Sequence, residues 1–495
     1  EGWDVYREKA FARQKALGVV PAGTVLTPRP DGIPAWDSLT PEQKRIAARQ
    51  IEVFAGFSAQ TDHEVGRVVQ AARALPGGRN TLIITILGDN GASAEGGPGG
   101  TISELAQGNG LGREAQVTVD QLPALGGPLY ENHMAYGWAW AVNAPFQYYK
   151  QVVSHLGAIR NPMIVSWPER VRDPGAVRSQ FLDVTDIAPT VLAAAGVTMP
   201  RAVDGVAQKP LDGVDALGTI TDAKSPEVRR TQYFEVFGNR GIYSDGWFAS
   251  AKLADPWVID RASLDPFKAK WELYHLDQDY SQARDLAARQ PERLERLKDL
   301  WWAEAARNHV LPLDWRAGER LMNAQAENRQ RHFTFYPGTV GIPEKIAPVV
   351  RNRSWRISAG GRFGPEDTGM LATQGGAAGG WAFHLMNGVP VFDYNLQGVS
   401  RYRIAGSRPV GAGTTRLEMR FAYDGKGARG AGGSVTILAD GKPVGTGRIA
   451  RTLPNFFSIN ETFDVGTDYG SPVADYPFPS PALAGLQQVD LDLED

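Results

Sequence analysis

Hydrophobic positions in the first part of the chain recur at helical spacing and then give way to an unbroken apolar run. Thr40-Pro41-Glu42-Gln43 combines a cap residue, proline at the first helical position and Gln at the third. The positions that follow, Ile46, Ile51, Phe54, Phe57, Val65 and Val68, predict a long helix, weakened by Gly56 and Gly66 and ended by Pro76-Gly77-Gly78. Leu82 to Leu87 is short, β-branched and almost wholly apolar, as expected for a parallel strand buried on both faces; it stops at Gly88-Asp89-Asn90-Gly91. A similar unit recurs as a strand from Pro162 to Pro168 and a short helix from Asp186 that closes near Gly196. Asp285 to His309 reads as a further amphipathic helix with Leu294, Leu297, Leu300 and Trp301 on one side, interrupted by Pro312.

Beyond about residue 335 helical periodicity disappears, glycine rises, and short alternating runs are separated by turn dipeptides. Trp381 to Met386 and Val389 to Asn395 flank Asn387-Gly388, while Ser434 to Ala439 and Pro443 to Ile449 flank Asp440-Gly441-Lys442, so both pairs predict hairpins. The glycine-rich stretch from Gly375 to Gly380 is read as a loop inside this region. The expected architecture is an α/β domain over residues 1–330 followed by an antiparallel β-sandwich over 331–495.

Composition adds limits. A chain of 495 residues exceeds the usual size of one hydrophobic core, and 42% hydrophobic with 22% charged residues places it among globular proteins. The net charge of -3, with both signs interspersed, offers no field for nucleic acid, and no apolar run approaches the length of a transmembrane segment. Absence of cysteine excludes thiolate metal sites and cysteine nucleophiles within these residues. Compartment and oligomeric state are open, since any export signal would precede Glu1.

The richest chemical signal is GDNGASAEGG, Gly88 to Gly97. Ligands of open α/β sheets bind beyond the carboxyl ends of strands, where Asp89 and Asn90 stand, and a carboxylate beside an amide oxygen suits a hard cation better than zinc. Read from the residues alone, Asp89-Asn90-Gly91 is equally a simple turn. The surrounding text resembles the sulfatases of the alkaline phosphatase superfamily, especially the large bacterial arylsulfatases. The resemblance runs through AGFSAQTDHEVGRVV, ILGDNGASAEGG, YGWAWAVNAPFQYYKQVVSHLGAIRNPMIVSWP, DVTDIAPTVLAAAGV and WELYHLDQDYSQARDLA, and on into GGWAFHLMNGVPVFDYN and FSINETFDVGTDYGSPV. It implies the remainder of an alkaline-phosphatase-like mixed sheet flanked by helices, ahead of the sandwich.

The resemblance implies that Asp89 and Asn90 are two ligands of one calcium ion; superfamily members with two zinc ions carry Asp-His there. It implies that Lys150 contacts the sulfate of a small-molecule sulfate ester. His155 and His133 are candidates to line the pocket, against the alternative of histidines bonded within the fold. His63, on the long helix, is expected to serve the core. Trp138 and Trp140 are read as packing or as an apolar wall. The family nucleophile is a formylglycine made from Cys or Ser in a Cys/Ser-x-Pro/Ala-x-Arg motif, and it is expected upstream of Glu1, together with paired aspartates for the metal. A chain without that segment is expected to be inactive by itself and to hold calcium weakly. The alternatives are a phosphatase or phosphodiesterase of the same superfamily, or a non-catalytic module binding carbohydrate or protein.

Overall fold

The computed structural model describes every residue except 257, 259, 260, 317–329 and 495. The chain divides into two compact units, residues 1–44, 54–98 and 134–317, and residues 45–53, 99–133 and 318–495.

The first unit alternates helices with short strands. It contains α1 (Trp3–Ala16), most of α2 (Pro41–Ala74), β1 (Ile83–Ile86), α3 (Tyr136–Val142), β2 (Met163–Ser166) and α4 (Ile187–Ala195). A four-stranded antiparallel meander follows, β3 (Thr231–Val236), β4 (Asn239–Ser244), β5 (Trp247–Ala251) and β6 (Trp271–His275), and then α5 (Pro291–Arg307). The capping box forms: Thr40 N donates to Gln43 Oε1 at 2.9 Å and Gln43 N to Thr40 Oγ1 at 3.2 Å. Helix α4 ends at Gly196 with a left-handed φ of 68°.

Several expectations are corrected here. Strand β1 does not pair in parallel; it lies antiparallel to β2, with Ile83 opposite Ser166 and Ile86 opposite Met163. A two-stranded ribbon leaves its faces open, and Ile164 is 57% exposed. The apolar stripe of α2 is likewise buried only at Ile46, while Phe57 and Val68 stand 69% and 70% exposed. His63, on the same helix, is exposed and serves no core. Helix α5 starts at Pro291 because the Asp285 carboxylate is already engaged, accepting from Leu273 N of β6 at 3.0 Å and Ala287 N at 2.9 Å. Its apolar face buries Leu297, Trp301 and Ala305 against Ile242, Ala249 and Leu273 of the meander.

The second unit is dominated by two six-stranded antiparallel sheets. Its strands are β7 (His332–Phe335), β8 (Ile342–Pro343), β9 (Trp355–Phe363), β10 (Gly369–Gly376), β11 (Gly379–Met386), β12 (Val389–Leu396), β13 (Ser400–Ala405), β14 (Thr414–Tyr423), β15 (Ala431–Ala439), β16 (Lys442–Arg451), β17 (Thr462–Val465) and β18 (Leu486–Leu493). Strand orders are β8-β17-β10-β11-β12-β13 and β16-β15-β14-β9-β18-β7. The period of two sends Trp355, Ile357 and Ala359 of β9, Trp381, Phe383 and Leu385 of β11, and Leu417, Met419 and Phe421 of β14 into one shared core. Asn387-Gly388 and Asp440-Gly441 occupy the hairpin tips with φ of 50° and 72°, and of 46° and 76°. These left-handed pairs match the twist of the flanking strands. Gly375 to Gly380 is not a free loop: Gly375 pairs with Gly380 and Gly376 with Gly379 as the ends of β10 and β11.

The segment after β17 covers the outer face of one sheet, burying Val473 and Tyr476 on Met370 and Ala382. Tyr476 Oη donates to Asp468 Oδ2 at 2.5 Å, while Asp468 Oδ1, in a residue 4% exposed, has no partner. Burial, then Asp464 and Glu461, push the Asp468 carboxyl up to about 7 despite the Tyr476 bond. The folded protein therefore retains a proton between about pH 4, where a free carboxyl releases it, and about pH 7. The contribution of Asp468 to stability falls as pH rises through that window and is flat above it. We expect Asp468→Asn to raise the melting temperature at pH 8 and to flatten its dependence between pH 5 and 8, read by thermal denaturation at several pH values.

Candidate active-site loops

Two loops of the first unit carry the polar residues picked out in the sequence. The chain leaves β1 at Leu87 and turns at Gly88, which has φ of 80°. Asp89 follows, exposed, and then Asn90, half-buried, whose Nδ2 donates to Asp89 Oδ1 at 2.9 Å. Gly91 lies flat on the second loop: its N donates to Ala158 O at 2.9 Å, and a Cβ there would stand 1.8 Å from Gly157 O. No other residue fits this approach without moving backbone.

The contact continues as a seam. Asn143 Oδ1 accepts from Ala92 N at 3.2 Å, and its Nδ2 donates to Tyr148 O at 3.1 Å and Gly157 O at 2.9 Å. Lys150 N donates to Ala92 O at 3.1 Å. The Lys150 ammonium, with its side chain 34% exposed, donates to Glu95 Oε2 at 2.9 Å. That same oxygen accepts from Ser93 Oγ at 2.5 Å, and Glu95 Oε1 accepts from Gln151 Nε2 at 2.6 Å. Burial would raise the Glu95 carboxyl, but the bonds from Ser93, Lys150 and Gln151 hold it below the usual carboxylate range. Tyr148 and Gln151, on either side of this turn, have φ of 59° and 72°. Such non-glycine conformations persist only where the surroundings impose them.

His155 and His133 each sit against a carboxylate of their own unit. His155 is 2% exposed, with Nδ1 2.9 Å from Ser154 Oγ, Nε2 3.4 Å from Glu272 Oε2 and its ring 4.5 Å from that of Tyr148. Burial pulls its pKa down, with Glu272 opposing. The imidazole thus supports Tyr148 from within the fold. His133 belongs to the second unit, where it exchanges backbone hydrogen bonds with Thr101 and places Nε2 3.1 Å from Glu104 Oε2. Trp138 is packing: edge contacts to Trp3, Tyr6 and Trp36 enclose it at 5.7 to 5.9 Å. Trp140 carries the Arg7 guanidinium over its ring at 4.4 Å.

The expectation that the nucleophile motif lies outside the chain meets one literal exception, Ser166-Trp167-Pro168-Glu169-Arg170. Ser166 ends β2 opposite Ile83, the first residue of β1, whereas Asp89 lies past the last. The strand from Ile83 to Ile86, on the order of 10 Å of extended chain, lies between them before the turn at Gly88. The Ser166 hydroxyl also accepts from Arg73 Nη2 at 2.7 Å. Its surroundings make it a strand terminus, not a nucleophile directed at Asp89.

Asp89 and Asn90 offer only oxygen donors, which suits calcium in kind. In number they fall short of the usual six to eight. Among the described residues Asp89 belongs to no group of three acidic or histidine side chains at ligand spacing. The sequence missed Glu95 and Asn143. Glu95 sits inside the informative decapeptide, but its partners lie 55 and 56 residues away, beyond the reach of local spacing. Nothing in the text around Asn143 marks a residue that serves two loops.

These features define the class, an α/β unit with polar loops at a strand end, followed in the same chain by an antiparallel β-sandwich. A sulfatase family model matches residues 12–197 of the chain. An uncharacterized sulfatase of Schizosaccharomyces pombe is 29% identical over 320 residues, covering 63% of this chain and 53% of its own length. An arylsulfatase of Klebsiella aerogenes is 29% identical over 238 residues, 48% of this chain and 47% of its own. The chain thus spans about half the length of the curated relatives it matches. The solved structure of Ps i-CgsB is 17% identical over 66% of this chain and 60% of that one, with a TM-score of 0.36, too distant to carry an argument. No described helix is long and apolar enough to cross a membrane.

Proposed function

We propose that this chain is the part of a sulfate-ester hydrolase that grips the sulfate group, with Asp89 and Asn90 as ligands of a calcium ion and Lys150 as a cation directed at sulfate oxygen. The observation that carries the reading is the seam joining the Asp89-Asn90 loop to the Lys150 loop, all of it inside the stretch that matches the family. The bound cation would neutralise charge on the ester oxygens. Lys150 supplies a compact point charge on the neighbouring loop, while Gly91 and Asn143 keep the two loops in register. Residues 1–330 are the catalytic part in this reading and 331–495 an accessory sandwich. The formylglycine nucleophile is provided by a segment other than these residues, so the 495 residues alone turn over no ester.

The test compares sulfate release from an aryl sulfate with phosphate release from the matching aryl phosphate, using the protein joined to its nucleophile segment. Sulfate release should dominate. Lys150→Ala should lower turnover by about 10²-fold while leaving the calcium affinity unchanged. Faster phosphate release, or full turnover in Lys150→Ala, would sink the reading.

A further inference from the structure

Lys150 does not present a free ammonium. It is held by Glu95, whose carboxylate collects three donors, the Lys150 ammonium at 2.9 Å, Ser93 Oγ at 2.5 Å and Gln151 Nε2 at 2.6 Å. Two of these come from the strained turn around Lys150 and one from the carboxylate's own loop. The backbone bond from Lys150 N to Ala92 O fixes the root of the lysine on the same loop that bears Glu95. Gln151 is in turn anchored from its other side, its carbonyl accepting from Asn239 Nδ2 at 3.1 Å. One carboxylate therefore decides where the Lys150 side chain points.

We propose that Glu95 is the positioning residue for Lys150, holding its ammonium at the seam of the two loops until an oxyanion takes over part of that contact. Two consequences follow. The lysine is ordered before an anion arrives, so less side-chain entropy is lost on binding. The carboxylate also stays beside the bound anion and weakens its hold, which favours release of inorganic sulfate. This rests on Lys150 as the sulfate-directed cation, and the two ideas fail separately in the experiment below.

The experiment acylates the full chain with limiting acetic anhydride and follows each lysine by peptide mass spectrometry, with Lys252 as internal reference, since its ammonium is held by Asp255 Oδ2 at 3.0 Å and packs on the Tyr148 ring only when the fold is intact. An ammonium engaged by a carboxylate acylates slowly, and because this pair is about a third exposed the effect is moderate. Glu95→Gln should speed labelling of Lys150 about two- to fivefold relative to Lys252. Glu95→Asp, which retains the charge, should restore a slow rate, a result that loss of folding would not produce. An unchanged Lys252 rate certifies that the variant is folded. Added inorganic sulfate should protect Lys150, and more strongly in Glu95→Gln than in the parent. Equal Lys150 rates in the parent and Glu95→Gln would overturn the positioning role. A rate change with no protection by sulfate in either protein would retain Glu95 as the holder of Lys150 and overturn its hand-over to an oxyanion, along with the sulfate-directed reading of Lys150.

Discussion

Replacing Asp89 with alanine in the protein joined to its nucleophile segment is expected to remove calcium-dependent turnover of an aryl sulfate, with a loss on the order of 10²–10³ in kcat. The side chain is exposed past the end of β1, where Asp89 Oδ1 accepts from its neighbour Asn90. Its removal therefore disturbs no packing, and the melting temperature without calcium should stay unchanged. On the proposed reading what is lost is a charged oxygen ligand, and ligand charge sets the affinity of calcium sites. The signature is a large kinetic effect with a small structural one. Steady-state assays across a calcium titration, beside thermal denaturation in chelator, separate the two. A variant that loses activity and melts early in chelator would move Asp89 from ligand to structural residue.

The opposite signature is expected at Asp186. Its carboxylate is almost completely enclosed and accepts from Arg229 through Nε at 2.8 Å and Nη2 at 2.5 Å, from Val214 N at 2.7 Å and from Asp183 N at 2.9 Å. Burial would raise this carboxyl, but Arg229 and the two backbone donors hold it below the usual range, and Asp186 in turn raises Arg229. Asp186→Ala leaves the Arg229 guanidinium buried without its counter-charge, which costs about 3–5 kcal/mol. Because the folded carboxyl lies below its unfolded value, this stabilisation is present above about pH 4 and is lost as the solution is acidified through the folded value. Denaturant titration of parent and variant at pH 7 and again near pH 3 should show a large gap that narrows in acid. A gap below 1 kcal/mol at pH 7 would contradict the assignment.

Local signals in the sequence carried over well. The capping box at Thr40, the stop at Gly196 and the two left-handed tips at Asn387-Gly388 and Asp440-Gly441 are decided by residues within a few positions of each other, and all form as read. The sandwich was legible for the same reason, since strict alternation places Trp355 and Trp381 on facing inner surfaces, 4.9 Å between ring centroids. What failed was anything that depends on a distant partner. An apolar β-branched run says strand, but not that β1 lies antiparallel beside β2, and the stripe on α2 says amphipathic helix without saying what covers it. At the site, Asp89, Asn90 and Lys150 stood out by residue type and text. Glu95, which touches Lys150, and Asn143, which ties the two loops, act through contacts that no local spacing reveals.

The most direct test of the proposed sulfate-gripping site is a crystal of the protein joined to the proposed nucleophile segment, grown with calcium and sulfate and measured for anomalous scattering. The account predicts a calcium ion at about 2.3–2.6 Å from oxygens of Asp89 and Asn90, with a sulfate oxygen within hydrogen-bond reach of the Lys150 ammonium. Calcium bound away from Asp89 and Asn90, or sulfate bound elsewhere while Lys150 remains wholly on Glu95, would contradict it.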